Sequence, residues 1–122
     1  MKLAARQIAH RRGLGAERLC VWWLRLKGSR VLARRFRVAS GEIDLIARRG
    51  RTLTAIEVKA RSTLGDAIEA VSPRQRRRVA RALEHFLKSR PDFAGCDLRF
   101  DVMLVTPRRW PRHIRDAWRP EQ

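Results

Sequence analysis

The sequence has 122 residues, which is enough for one domain but too few for two independent hydrophobic cores. Lysines and arginines exceed acidic residues by 17, and 44% of the residues are hydrophobic, which excludes a disordered polybasic tail and an enzyme with an acidic surface. The longest strictly apolar run extends only from Leu19 to Leu24, so neither a transmembrane segment nor a signal peptide is predicted.

The excess of positive charge predicts a polyanionic partner. A folded domain at +17 repels itself, and nucleic acid relieves that repulsion while releasing counterions from its phosphates. An anionic membrane surface or an acidic protein would also attract this charge, and a general preference for arginine explains part of it. Cys20 and Cys96 have no CxxC spacing, so a reducing cytoplasm is expected rather than a disulfide scaffold or a zinc ribbon.

The first half of the chain predicts a helix followed by three strands. Leu19, Trp22, Trp23 and Leu26 have the spacing of one buried helix face, and Gly28 is placed to end that helix. Strands are predicted at residues 30–38, 42–48 and 52–59, the last rich in β-branched side chains. A tight turn is predicted at residues 49–51, between the second and third strands.

The second half predicts a helix and a strand. The segment 64–71 is ambiguous, and a helix is predicted to begin near Pro73 and to end at Arg90-Pro91. Its buried stripe is Val79, Leu83, Phe86 and Leu87. Residues 98–105 are predicted as a central strand, and residues 114–118 as a short strand or turn. We therefore expect one α/β domain over 1–122, with its core at about 13–106 and a C-terminal tail at 107–122.

Two acidic residues occupy the middle of the otherwise apolar hairpin. A two-residue turn at Gly50-Arg51 places Asp44 opposite Glu57, with Lys59 on the same face. Opposed carboxylates repel unless a cation lies between them, so the pair predicts a site for Mg²⁺ or Mn²⁺. A three-residue loop would instead put the two acids on opposite faces. An ordinary salt bridge of either acid with Lys59 or Arg61 is the alternative interpretation.

Lys59 is unusual because only 4 of the 29 basic residues are lysines. A compact ammonium beside two carboxylates is suited to orienting a water or to stabilising charge that develops on a phosphate, and an arginine does this less well.

The hairpin carries a family resemblance. The segments GEIDLI at 41–46 and IEVKAR at 56–61 resemble the PD-(D/E)xK nuclease signature. Over about residues 13–118 the chain is similar to the YraN/UPF0102 family, which itself resembles archaeal Holliday-junction resolvases. Residues 15–17, 33–37 and 99–102 also match that family. The resemblance implies a restriction-endonuclease-like αβββαβ core, in which helices flank a mixed β-sheet.

The resemblance also implies roles for individual residues. Asp44 and Glu57 match the metal-binding acids, Lys59 matches the catalytic lysine, and Glu17 matches an acid that joins the metal site directly or through water. From the residues alone, Glu17 could equally be a first-turn partner of the helix dipole. Gln75 follows Arg74 where the family has Lys-Gln, so a phosphate contact is expected there.

Basic residues elsewhere give the expected nucleic-acid surface. Four arginines share the polar face of the second helix, which is either a solvated face or, as we favour, a phosphate-binding one. The candidate contacts are Arg34, Arg35, Arg37, Arg61, Arg74, Gln75, Arg77, Arg78 and Arg81.

Other conspicuous side chains are assigned structural positions. Asp101 is interpreted as a core-edge acid paired with Arg99 or Arg61, in preference to a functional acid. His10, His85 and His113 are expected at the surface, and Trp22 and Trp23 in the core. Trp110 and Trp118 could equally pack on the sheet, meet a dimer partner or stack on bases.

The function expected from these features is a metal-dependent nuclease acting on DNA rather than RNA, with branched recombination or repair intermediates as candidate substrates. The expected cofactor is Mg²⁺ or Mn²⁺, the expected location is the cytoplasm with the nucleoid, and the resemblance adds a homodimer. The alternative is a non-catalytic basic protein that binds DNA or RNA and retains the nuclease fold.

Overall fold

The structure is a computed structural model, and it describes residues 15–120. His10 lies outside the described residues. The elements are helix α1 at 15–26, strands β1 (Arg30–Val38), β2 (Gly41–Arg49) and β3 (Thr52–Lys59), helices α2 (Leu64–Glu69) and α3 (Pro73–Ser89), a 3₁₀ turn (Pro91–Phe93), and strands β4 (Asp97–Leu104) and β5 (Arg112–Ile114). The predicted αβββαβ order is confirmed, and the ambiguous segment forms α2.

The five strands form one mixed sheet in the order β1-β2-β3-β4-β5. Strands β3 and β4 are parallel, and the other neighbours are antiparallel. A parallel pair needs a crossover connection, and α2 and α3 provide it. Helix α3 packs on one face of the sheet and α1 on the other, so the predicted α/β fold with a restriction-endonuclease-like core is confirmed.

The β2–β3 hairpin has the predicted register. Arg49 pairs with Thr52, and the pairing continues to Leu45 and Ile56. Gly50 makes the tight turn possible because its φ of 59° lies in the left-handed region that glycine adopts without strain. The residues that follow the last pair are Asp44 and Glu57, as the two-residue turn predicts.

The buried face of α1 differs from the prediction. Trp22 is 61% exposed and Leu26 is 67% exposed, so the face proposed from Leu19, Trp22, Trp23 and Leu26 was wrong. The side chains that contact the sheet are Cys20, Val21 and Leu24, together with Ala16 and Glu17 one turn earlier. These smaller side chains let the helix approach the sheet closely, while Arg25 covers the exposed Trp22 ring at 5.9 Å.

Helix α3 begins where the sequence predicts. The Ser72 hydroxyl accepts a hydrogen bond from the Gln75 N–H at 3.1 Å, and Pro73 occupies the first turn. The predicted stripe is confirmed, since Val79, Leu83 and Phe86 are buried and Leu87 packs against the same core. The opposite side of α3 therefore faces solvent.

The segment after residue 106 contributes to the core. Strand β5 pairs with β4, and Trp118 is 1% exposed with its ring 4.5 Å from that of Phe100. The ring centroids of Trp110 and Trp23 lie 5.4 Å apart. Trp110 is largely exposed, and Trp23 is only partly buried. Both cysteines are free. Among residues 15–120, no helix is long and apolar enough to cross a membrane.

Candidate functional site

Four elements bring their polar side chains together beside the β2–β3 hairpin. Asp44 lies near the start of β2, Glu57 and Lys59 at the end of β3, and Gln75 in the first turn of α3. Glu17 approaches from α1 on the far side of Asp44. The structure thus brings together the predicted catalytic residues and one residue, Gln75, that we had assigned to phosphate contact.

Asp44 and Glu57 meet where the two strands stop pairing. The Val58 N–H donates to Asp44 Oδ2 at 2.9 Å, and the Asp44 N–H donates to Glu57 Oε1 at 3.4 Å. At this end of the β2–β3 pairing, carboxylate oxygens rather than backbone carbonyls therefore accept the hydrogen bonds of the backbone N–H groups. As a result, both carboxylates are fixed at the open end of the hairpin.

Gln75 connects Glu57 to Lys59. Its Nε2 donates to Glu57 Oε2 at 2.9 Å, and its Oε1 accepts a hydrogen bond from Lys59 Nζ at 3.2 Å. Ser72 and Gln75 have capping-box spacing, but the amide side chain points into the site. That spacing could have identified Gln75 as a first-turn residue, although not its partners.

The two carboxylates repel each other strongly. Burial raises the pKa of Glu57 well above its ordinary 4.5, and the neighbouring Asp44 raises it further, while Lys59 opposes both effects. Burial also raises the pKa of the Cys20 thiol from 9.0 to about 12, and Asp44 and Glu17 add to that rise. Burial and neighbouring acids therefore disfavour ionisation of both Glu57 and Cys20, and the buried Cys20 thiol stays protonated at neutral pH.

The alternative salt bridge is not found. Within residues 15–120, neither Lys59 nor Arg61 forms an ion pair with Asp44 or Glu57, and Arg61 donates to the Ala60 carbonyl instead. Two adjacent carboxylate ligands without a counter-ion fit the donor set of Mg²⁺ or Mn²⁺. No group of three or more His, Cys, Asp or Glu side chains in this range is placed to hold one ion, so water would complete the shell.

Glu17 is held beside the pair by Arg35. The Glu17 carboxylate is 7% exposed, and Arg35 Nε donates to it at 2.9 Å. A small cavity of about 110 Å³ separates Glu17 from Asp44, which is room for a few waters. Arg35 makes this ion pair from a strained backbone with φ of 51°, and such strain is concentrated at functional sites.

The residues predicted to contact nucleic acid differ in their exposure and in their ion pairs. Arg34, Arg37 and Arg61 are exposed, and Arg37 lies 3.5 Å from Glu42. Arg35 is committed to Glu17. The remaining arginines form the basic face of α3, which we define as Arg74, Arg77, Arg78 and Arg81, and all but Arg78 are exposed. This face lies on the same helix as Gln75, whose side chain contacts Glu57.

Asp101 is the structural acid that the sequence favoured. It is fully buried, and Arg99 holds it through two hydrogen bonds of 2.9 Å. His113 Nε2 lies 2.6 Å from the same carboxylate, so its predicted surface position was wrong. The Asp116 N–H donates a further bond at 2.9 Å. The strand positions of Arg99 and Asp101 predicted their pairing, but nothing near His113 in the sequence signals its partner.

Replacing Asp101 with Asn should reduce stability in a pH-dependent way. Burial alone would raise the pKa of Asp101, but hydrogen bonds from His113, Arg99 and the Asp116 amide keep it below the ordinary 3.8. The stabilisation from the ionised carboxylate is therefore present above pH 3.8 and is lost as the pH falls below it. We expect Asp101→Asn to lower the free energy of unfolding by about 3 kcal/mol at pH 7.

Urea unfolding of wild type and Asp101→Asn at pH 7 and below pH 3.8 measures this effect. The difference in free energy of unfolding between wild type and Asp101→Asn should be smaller at the lower pH. An equal gap at both pH values would show that the loss is steric rather than electrostatic.

The fold and the site together define an α/β protein with a restriction-endonuclease-like core and a carboxylate pair followed by a lysine. Residues 16–105 match the family model described as "Uncharacterised protein family UPF0102". The chain belongs to this family, as the resemblance predicted.

Curated relatives agree with the family assignment. A UPF0102 protein of Parvibaculum lavamentivorans is 60% identical over 112 residues, which cover 92% of this chain and 84% of the relative. One from Methylorubrum extorquens is 53% identical, covering 97% and 92%, and one from Paramagnetospirillum magneticum is 51% identical, covering 94% and 92%. The family therefore spans nearly the whole chain.

Proposed function

We propose that the protein is a metal-dependent nuclease that hydrolyses phosphodiester bonds in DNA. The observation that carries the proposal is the pair Asp44 and Glu57, which are hydrogen-bonded to each other's strand and form no ion pair among residues 15–120, with Lys59 linked to Glu57 through Gln75. A net charge of +17 favours a polyanionic substrate.

Each residue of the site has a separate role in the proposed hydrolysis. Asp44 and Glu57 would hold Mg²⁺ or Mn²⁺, and Glu17 would reach the cation through water. A divalent ion bound there supplies charge for the scissile phosphate and lowers the pKa of a bound water. Lys59 orients the attacking water and offsets the negative charge that grows on the phosphate oxygens.

Gln75 positions this lysine. Its carbonyl oxygen accepts one ammonium proton, and its NH₂ group is anchored on Glu57. In the hydrolysis, the water gives up a proton to solvent as its oxygen bonds to phosphorus, the bond from phosphorus to the leaving oxygen breaks, and the leaving oxygen takes up a proton from solvent. Gln75 thus keeps the ammonium aimed at the reacting phosphate while leaving its other protons free.

The basic face of α3 would hold the DNA backbone. Replacing two of its exposed arginines, Arg77→Ala with Arg81→Ala, should remove up to two phosphate contacts. We expect the slope of log K against log salt concentration to become shallower by about 2 for duplex DNA. The matched control is Arg18→Ala with Arg25→Ala, two exposed arginines of α1, which should leave the slope unchanged.

Fluorescence anisotropy across a salt series, in EDTA, gives both slopes. Equal changes in the two variants would mean that the protein binds DNA through its net charge rather than through α3.

Three further parts of the proposal rest on the family resemblance or on the substrate. Branched recombination or repair intermediates are the favoured substrates, and a two-fold homodimer would match their symmetry. Action on chromosomal DNA would place the protein in the cytoplasm with the nucleoid. Light scattering of the free protein and of its junction complex tests the dimer.

A second candidate is a basic protein that binds DNA or RNA without cleaving it. The observation in its favour is the basic face of α3, whose exposed arginines need no metal to bind phosphate. This candidate predicts that binding is independent of metal and unaffected by Asp44→Asn.

A gel assay on labelled DNA tests the nuclease proposal. The substrates are a four-way junction, a flap, a single strand and a linear duplex, with an RNA hairpin for comparison, each in Mg²⁺, Mn²⁺ or EDTA. We expect cleavage only with metal, lost in Asp44→Asn and kept in Glu69→Gln, which removes an exposed acid of α2. Tight binding without cleavage of any substrate would favour the second candidate.

A further inference from the structure

A second polar cleft lies on the opposite face of the sheet from Glu57 and Lys59. Thr52, Thr54 and Ile56 line it, whereas Glu57 and Lys59 project from the other face because side chains alternate along a strand. The cleft has a volume of about 380 Å³ and is bounded by the end of α1, the hairpin and β5. Its size is within the range of small-molecule sites.

Most of the side chains around this cleft are basic or hydroxylic, and the others are the apolar Leu24, Ala47 and Ile56. Lys27, Arg49, Arg99, His113 and Arg115 line it, and no acid does. Across residues 15–120, Lys27, Arg49 and Arg115 form no ion pair with any carboxylate. These cations converge on one concavity without neutralisation, an arrangement that an anion would stabilise.

Asp101 does not line the cleft but holds two of the residues that do. It is fully buried and fixes Arg99 through two hydrogen bonds and His113 through one. It is one carboxylate beneath four permanent cations, so the cleft remains positive. Ser29 adds a hydroxyl beside those of Thr52 and Thr54. The nuclease proposal uses none of these residues.

We propose that this cleft binds the phosphate groups of a nucleotide-sized ligand. Guanidinium groups recognise phosphate oxygens in pairs of hydrogen bonds, and among residues 15–120 those of Arg49 and Arg115 are not engaged by any carboxylate. The hydroxyl groups and Lys27 supply further hydrogen bonds and one more positive charge for a dianionic phosphate group. The phosphates belong either to a free nucleotide or polyphosphate, or to a nucleic-acid strand. The proposal is independent of the nuclease function, because it concerns the other face of the sheet.

Calorimetric titration of the whole protein with pyrophosphate and with ADP tests the proposal. The titrations are made in EDTA at constant ionic strength, so that a metal at Asp44 and Glu57 contributes nothing. We expect saturable one-site binding in wild type, weakened at least about tenfold in Arg49→Ala with Arg115→Ala. Both arginines are exposed, so the variant should fold, and an unchanged melting temperature checks this.

The matched control removes the same charge elsewhere. Arg18→Ala with Arg25→Ala should bind pyrophosphate and ADP as wild type does. Absence of saturable binding, or equal weakening in the two variants, would overturn the proposal. In wild-type protein, pyrophosphate should shift the amide resonances of Ser29, Thr54 and His113 but not that of Gln75, and a shift confined to Gln75 would also contradict it.

Competition identifies the source of the phosphate. If duplex DNA displaces bound ADP from wild type, and Arg49→Ala with Arg115→Ala weakens DNA binding, the ligand is a nucleic-acid strand. If ADP remains bound in the presence of saturating duplex, the ligand is a free phosphorylated molecule. Both results support phosphate recognition at this cleft.

Discussion

Replacing Glu57 with Gln should abolish metal-dependent cleavage and, at the same time, stabilise the metal-free protein. The glutamine removes one of two carboxylate ligands, so we expect the cleavage rate to fall by at least about 10³-fold. Glu57 is only 2% exposed and lies beside Asp44, so its charged form is destabilised by burial and by repulsion. A neutral amide of the same shape relieves both, and its one oxygen can keep the 2.9 Å bond from Gln75 while the longer 3.4 Å bond from the Asp44 N–H is lost.

The stability gain should be about 1 kcal/mol, which corresponds to a rise of roughly 3–6 °C in melting temperature for a domain of this size. Calorimetry in EDTA measures it, beside the cleavage assay in Mg²⁺. Glu69→Gln is the control, because it makes the same change at an exposed acid of α2 and should change neither quantity. A Glu57→Gln protein that is less stable in EDTA, or that still cleaves, would contradict the assignment of Glu57 as a strained metal ligand.

Replacing Gly41 with Ala should disrupt the packing of α3 on the sheet. A β-carbon at Gly41 would overlap the backbone carbonyl of Arg78, which cannot move away as a flexible side chain could. The helix would have to shift, and α3 carries both Gln75 and the basic face. We expect a loss of about 2–3 kcal/mol in the free energy of unfolding.

Gly65→Ala is the matched control for this change. Gly65 lies within α2 and has open space around its α-carbon, so alanine should be neutral or stabilise by up to about 1 kcal/mol. Urea denaturation of the two variants gives the comparison. If Gly41→Ala were as stable as Gly65→Ala, the close approach of α3 to β2 would be wrong.

The carboxylate pair was predictable because its geometry follows from local rules. The two-residue turn at Gly50-Arg51 fixes the hairpin register, and the register places Asp44 beside Glu57. Strand alternation then puts Lys59 on the same face as Glu57. These steps need only the chain between residues 44 and 59, so no long-range packing enters them.

Long-range contacts could not be read from the sequence in the same way. Helix α1 has apolar residues on more than one side, and only the sheet decides that Val21 and Leu24 are buried while Trp22 is exposed. The partner of Asp101 at His113 and the link of Gln75 to Lys59 depend on how β5 and α3 dock. Each of these contacts joins elements that are far apart along the chain.

The central claim is that Asp44 and Glu57 bind a divalent cation, and a calorimetric titration with Mn²⁺ tests it without any choice of substrate. We expect wild type and Glu69→Gln to bind one Mn²⁺ per chain. Glu57→Gln should bind none at the same concentrations. Equal Mn²⁺ binding by Glu57→Gln, or none by wild type, would contradict the account of this site.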